Sequence, residues 1–151
     1  MFSKKHLLLF DFKQNDKQLF FKMETLLSQQ AKILIVDDEP NILLAIDFLL
    51  TRQGFEVAKA NDGHEALELL DTFKPNVIIL DVMMPGMDGF EVARRIRHRS
   101  EFEDTRIVFL TAKGAEKDRW TGYNSGAEVY LTKPFDNEML IDVVSEIIAY
   151  G

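Results

Sequence analysis

The chain contains no cysteine. That excludes disulfide staples and thiolate metal sites, and it is compatible with a reducing cytoplasm, the compartment expected for this protein. Long apolar runs are missing too: none approaches the roughly 20 residues that a membrane-spanning helix needs, so no membrane partner is expected. Cationic excess is also absent. A net charge of −7 argues against a nucleic-acid-binding surface, because phosphate contacts require clustered cations. What remains is ordinary globular material. With 151 residues, 46% hydrophobic and 28% charged, the chain has room for one domain with a proper core.

Charge is unevenly spread. Residues 1–31 carry five lysines against Asp11, Asp16 and Glu24, a net of +2, whereas the remainder has 13 cations against 22 acids, a net of −9. The first 22 residues also hold five of the twelve phenylalanines. The run "KKHLLLFDF" is too short, and too soon broken by Asp11, for a secretory signal. Two readings stay open. Residues 1–31 form an accessory helix or strand docked on the domain, or the native chain starts at Met23. Either way the expected division is an N-terminal extension over 1–31 and one domain over 32–151.

From Lys32 the chain alternates apolar runs with helical patterns. "KILIV", "FEVAKA", "VIIL", "RIVFL" and "EVYLT" read as five strands. Between and after them, "PNILLAIDFLLTRQ", "HEALELLDTF", "GFEVARRIRHR", "AEKDRWTGYNS" and "NEMLIDVVSEIIAY" read as helices. Pro40 sits in the first turn of the first helix and Gly54 stops it. Asp62, with Glu65 three residues on, predicts a capping box, and Asp136 opens the last helix. The first, third and fourth strands are continuous apolar runs, as parallel strands covered on both faces must be. The expected fold class is therefore α/β: a flavodoxin-like open five-stranded parallel sheet with helices on both faces. Ligands of such sheets lie beyond the carboxyl ends of the strands.

Those ends carry the chemistry. Asp37 and Asp38 follow the first strand, Asp81 ends the third, Thr111 the fourth, and Lys133 follows the fifth. Read singly, each acid is a helix cap or turn residue. Read together, three carboxylates meet on one rim, where two unit charges about 5 Å apart repel by roughly 3 kcal/mol at an effective dielectric near 20. A hard divalent cation relieves that repulsion, and an all-oxygen site with open positions suits Mg²⁺.

The pieces "ILIVDDEP", "DGHEAL", "DVMMPGMDG", "FLTA" and "GAEVYLTKPF", in this order, make the chain from Lys32 to Tyr150 resemble the response-regulator receiver domain of two-component signalling. The resemblance implies a phosphoprotein switch in which Asp81 accepts a phosphoryl group from a phosphohistidine of a sensor kinase or a histidine phosphotransfer protein. It implies that Asp38 ligates Mg²⁺ directly, Asp37 mostly through water, Asp81 with its own oxygen, and Met83 through its carbonyl. It implies a cis bond between Lys133 and Pro134, with the lysine turned back to the site. Thr111 and the strand aromatic Tyr130 are the implied switch pair. Such a module catalyses only its own phosphorylation and dephosphorylation.

Trp120 and Tyr123 on the fourth predicted helix, and Met139 and Val143 on the fifth, are large apolar residues expected on the outside. They mark a candidate face for a homodimer or a downstream protein, with packing under a neighbouring loop as the alternative. The run with Arg94, Arg95, Arg97 and Arg99 reads as the solvated side of a helix whose inner residues are Val92 and Ile96. His6, His64 and His98 lack metal-ligand spacing. A rival reading is an aspartyl-phosphate phosphatase of the haloacid-dehalogenase type, but Asp81 is followed by Val82 and Met83, without that family's second aspartate. A third reading is a receiver fragment of a larger transcriptional regulator. If Gly151 is the natural end, the protein acts by docking.

Overall fold

A computed structural model describes residues 16–21, 23, 31–112 and 129–150. Five strands, β1 (Lys32–Val36), β2 (Glu56–Ala60), β3 (Val77–Asp81), β4 (Arg106–Thr111) and β5 (Val129–Thr132), form one sheet in the order β2-β1-β3-β4-β5. Every pairing is parallel. This is the flavodoxin-like order expected from the sequence. The direction in which strands are added reverses between β1 and β3, and that neighbouring pair opens a crevice at its carboxyl ends.

Helices α1 (Pro40–Arg52), α2 (Gly63–Phe73), α3 (Gly89–Arg97) and α4 (Asn137–Tyr150) cover the two faces. The predicted fourth helix, 115–125, lies outside the described residues. On one face Leu34, Val36, Ile78, Leu80 and Phe109 meet Ala66 and Leu70 of α2 and Phe90, Val92 and Ile96 of α3. On the other, Ile33, Ile35, Ile79, Val108 and Leu110 meet Leu43, Ile46 and Leu50 of α1 and Leu140 and Val144 of α4. Alternate residues of each central strand thus feed opposite layers, which is why these strands read as unbroken apolar runs.

Local signals act as the sequence predicts. Pro40 occupies the first turn of α1, and Gly54 follows its end with a φ of 91°. The Asp62 carboxylate accepts from the Glu65 backbone N–H at 2.9 Å, capping α2. The return bond of the expected box shifts by one residue: Glu65 Oε2 accepts from the backbone N–H of Asn61 at 3.0 Å. Asp136 Oδ1 accepts from the Met139 N–H at 2.7 Å and so starts α4. Helix α3 ends at Arg97, two residues short of the predicted stretch, because the chain turns at His98 into a 3₁₀ turn, Ser100–Phe102, whose Phe102 enters the core. Among the described residues no helix is long and apolar enough to cross a membrane.

Candidate functional site

The crevice between β1 and β3 is where the acids gather. Asp37, the residue after β1, is fully buried, and Asp81, the last residue of β3, is 3% exposed, whereas Asp38 faces solvent. One carboxylate oxygen from each of the three lies within 4.8 Å of the others. Strand register brings this about: Val36 pairs with Leu80, so Asp37, just beyond β1, meets Asp81, the last residue of β3, across the rim.

Hydrogen bonds aim the buried acids. Asp37 Oδ1 accepts from the Glu39 backbone N–H at 2.9 Å, at the entry to α1. Asp81 Oδ1 lies 3.4 Å from the Met83 backbone N–H, a long and weak bond. Lys133, which follows β5, reaches across the rim. Its Nζ stands 3.1 Å from Asp37 Oδ2 and 3.3 Å from Asp81 Oδ1. The Lys133 backbone N–H donates to the Thr111 carbonyl at 2.6 Å, and the Lys133–Pro134 peptide is cis. Thr111 itself is buried, one residue past Leu110, the register partner of Asp81.

Electrostatics differentiate the groups. Burial, and then the neighbouring Asp37 charge, push the Asp81 carboxyl up to about 6, with Lys133 partly offsetting them. Burial opposes the ammonium of Lys133, but its hydrogen bond to Asp37 and the charge of Asp81 outweigh that and raise its pKa. The donor set therefore fits a hard cation. Three carboxylates crowd one rim, a single lysine among the described residues compensates them, one acid opens to solvent, and every donor is oxygen.

A pH dependence follows from the displaced Asp81. Its folded-state pKa lies near 6 and its ordinary value is 3.8, so between these the native protein holds more protons than the unfolded chain. Stability of the metal-free protein is then expected to fall as pH rises from about 4 to 6, by on the order of 3 kcal/mol if this group acts alone. Urea unfolding in EDTA measures it against an Asp81→Asn variant, in which this component vanishes. An identical pH profile in both proteins contradicts the expectation.

The other residues singled out from the sequence sort as follows. Tyr130 is half-buried on β5, with its ring stacked on Phe109 at 5.4 Å between centroids. Met83, two residues past Asp81, is 62% exposed, and its backbone N–H faces the Asp81 carboxylate. Met139 is exposed on α4. Val143, expected beside it on the outside, is half-buried against the core. The inner stripe of α4 is wider than Leu140 and Val144, and Val143, Ile147 and Ile148 flank it. Trp120 and Tyr123 lie outside the described residues. Of the arginines on α3, Arg94 and Arg95 are exposed and both bridge to Glu91, whereas Arg97 is half-buried and donates to the Phe102 carbonyl at 3.1 Å.

Sequence reasoning missed one structural element of the site, Gly89. Its N–H donates to the Val82 carbonyl at 2.9 Å, and a Cβ there would lie 2.3 Å from the Asp81 carbonyl oxygen. The start of α3 is thus pressed onto the acid-bearing strand end. The signal was the "MDGF" turn, which reads equally well as any helix start.

Residues 33–145 match the model of the response regulator receiver domain. The chain belongs to this family. Among curated relatives of this receiver, the protein PilH of Pseudomonas aeruginosa is 35% identical over 119 residues, 79% of this chain and 98% of PilH. The transcriptional regulatory protein TrcR of Mycobacterium tuberculosis is 42% identical over 110 residues, 73% of this chain. The match takes in only 42% of TrcR's length. Among solved structures, the chemotaxis protein CheY4 of Vibrio cholerae superposes with a TM-score of 0.72 at 37% identity, covering 78% of this receiver and 98% of CheY4. A CheY-like receiver domain protein of Methanospirillum hungatei gives 0.72 at 36% identity, covering 80% and 95%. Membership identifies the chain as a phosphoacceptor signalling module of two-component systems, and nothing in the matches favours the haloacid-dehalogenase alternative.

Proposed function

We propose that Asp81 is the phosphoacceptor of this receiver, and that a sensor histidine kinase or a histidine phosphotransfer protein supplies the phosphoryl group. The observation that carries the reading is the convergence of Asp37, Asp38, Asp81 and Lys133 on one rim. A carboxylate oxygen of Asp81 attacks phosphorus, the bond from phosphorus to the donor's imidazole nitrogen breaks, and the imidazole leaves with that electron pair. Little covalent help is needed; the reaction depends on in-line placement and on positive charge around the transferring oxygens.

Lys133 supplies part of that charge. Its ammonium is held by Asp37 beside Asp81, within reach of oxygens carried on Asp81. Asp37, Asp38, Asp81 and the Met83 carbonyl would hold Mg²⁺, which when bound neutralises charge on the transferring group. Thr111 donates its hydroxyl to a phosphoryl oxygen. That pull, with Tyr130 repacking against Phe109, shifts the population between two arrangements of the β4–β5 edge. The readout is a face that includes Met139, taken up by a second copy or a downstream protein. The functional unit is residues 32–151, a cytoplasmic switch whose only chemistry is its own phosphorylation and dephosphorylation.

The test is incubation with a small acyl phosphate and Mg²⁺, followed by intact mass. One added phosphoryl group per chain is expected, and none when EDTA replaces the metal. Modification that proceeds equally well in EDTA contradicts the assignment of the acids as a cation site.

A further inference from the structure

Helix α1 keeps two large apolar side chains in water. Leu44 and Phe48 stand one turn apart and are 64% and 60% exposed, although Leu43, Ile46 and Leu50 already fill the inner face. The Arg52 guanidinium lies 5.5 Å from the Phe48 ring and leaves the rest of this stripe open. A helix with an apolar stripe on its outer side presents a docking surface.

A matching surface lies in the same chain. Residues 16–21 and 23 are helical, and Leu19, Phe20 and Met23 are 62%, 64% and 53% exposed. In sequence, Leu19, Phe20 and Met23 stand at the spacing of a single helical stripe. Residues 1–31 carry a net charge of +2 against −9 for the rest, so charge favours contact between the two parts.

The connection also allows it. The Ala31 carbonyl accepts from the Glu56 N–H at 3.0 Å, and the neighbouring Phe55 N–H donates to Leu50 of α1 at 3.2 Å. The N-terminal segment therefore joins the sheet beside the C-terminal end of α1. The eight residue steps from Met23 to Ala31 reach up to about 26 Å when extended. Phe48 lies four residues before the end of α1, about 6 Å along its axis.

We propose that the segment bearing Leu19, Phe20 and Met23 docks on the Leu44–Phe48 face of α1 in its own chain. The short tether makes this an intramolecular event at high effective concentration, ahead of any second copy.

The absence of native cysteine makes the contact measurable in the full chain. Met23→Cys is paired with Ala45→Cys, an exposed position between Leu44 and Phe48, and separately with Glu103→Cys, an exposed position before β4. Under oxidised glutathione the first pair should form a monomeric disulfide about tenfold faster than the second, reflecting effective concentration. Adding Phe48→Glu should remove that advantage, with circular dichroism confirming that the domain stays folded. Equal rates for the two pairs, an advantage that survives Phe48→Glu, or disulfide-linked dimers in place of monomers would each overturn the proposal. Dimers would assign the face to a second copy.

Discussion

Asp81→Asn should take up no phosphoryl group from a small acyl phosphate in the presence of Mg²⁺, while the unaltered chain gains one by intact mass. The substitution keeps the size of the side chain and replaces a charged oxygen by an amide, a far weaker nucleophile towards phosphorus. Neither neighbouring acid is placed to take over. Asp37 has one oxygen on the Glu39 N–H and the other on Lys133, and Asp38 opens to solvent. The loss is also interpretable, because the fold should survive it. The amide removes a buried charge that Asp37 repels, and Lys133 keeps its 3.1 Å contact with Asp37. At neutral pH without metal, the variant is expected to be more stable by roughly 1–3 kcal/mol in urea unfolding. Phosphorylation of the Asp81→Asn variant at the unaltered rate would remove the assignment outright.

Gly89→Ala should be the most damaging single-methyl change near the site. The added Cβ would meet the Asp81 carbonyl oxygen at 2.3 Å, the Val82 Cα at 2.8 Å and the Asp81 carbonyl carbon at 2.9 Å. All three are backbone atoms of the strand end, so no side chain can swing aside. Either α3 backs away, breaking the 2.9 Å bond from Gly89 to the Val82 carbonyl and loosening Phe90 and Val92 from the core, or Asp81 moves. Overpacking of this kind costs about 2–3 kcal/mol, and the melting temperature should drop by roughly 10 °C. Because the displaced backbone carries Asp81, Mg²⁺ affinity should weaken as well, which a remote destabilising substitution would not do. Gly86→Ala is the control. Its φ of 75° strains an alanine, but nothing lies within 4 Å of the new methyl group, so the loss should stay near 1 kcal/mol. Equal losses at the two glycines would show that close packing of α3 on β3 is not the cause.

Local order was open to reading in the chain. Ile33–Val36 and Val77–Leu80 are apolar at every position because both faces of the central strands are covered, and the turns announce themselves through Asp62, Gly54 and Asp136. The acids were legible for the same reason: a charge directly after a wholly buried strand has no place except the rim. Helix faces were harder. Eight of the thirteen residues of α1 are apolar, more than one stripe can seat, so spacing alone could not say that Leu44 and Phe48 face water. Val143 failed in the opposite sense. It lies beside the buried stripe of α4, and how far the core reaches over it depends on the sheet beneath.

By itself, then, the sequence determined the kind of sheet, its alternation with helices, and the identity of the acids, threonine and lysine at its carboxyl rim. These follow from hydrophobic period and from where a charge can stand, both of which are local. Tertiary structure alone decided that Lys133 binds Asp37, 96 residues away, as well as Asp81, that Gly89 must admit no side chain, and that Leu44 and Phe48 of α1 stand exposed among the described residues. Those outcomes depend on strand register and on the spacing between packed elements, quantities that no single stretch of chain contains.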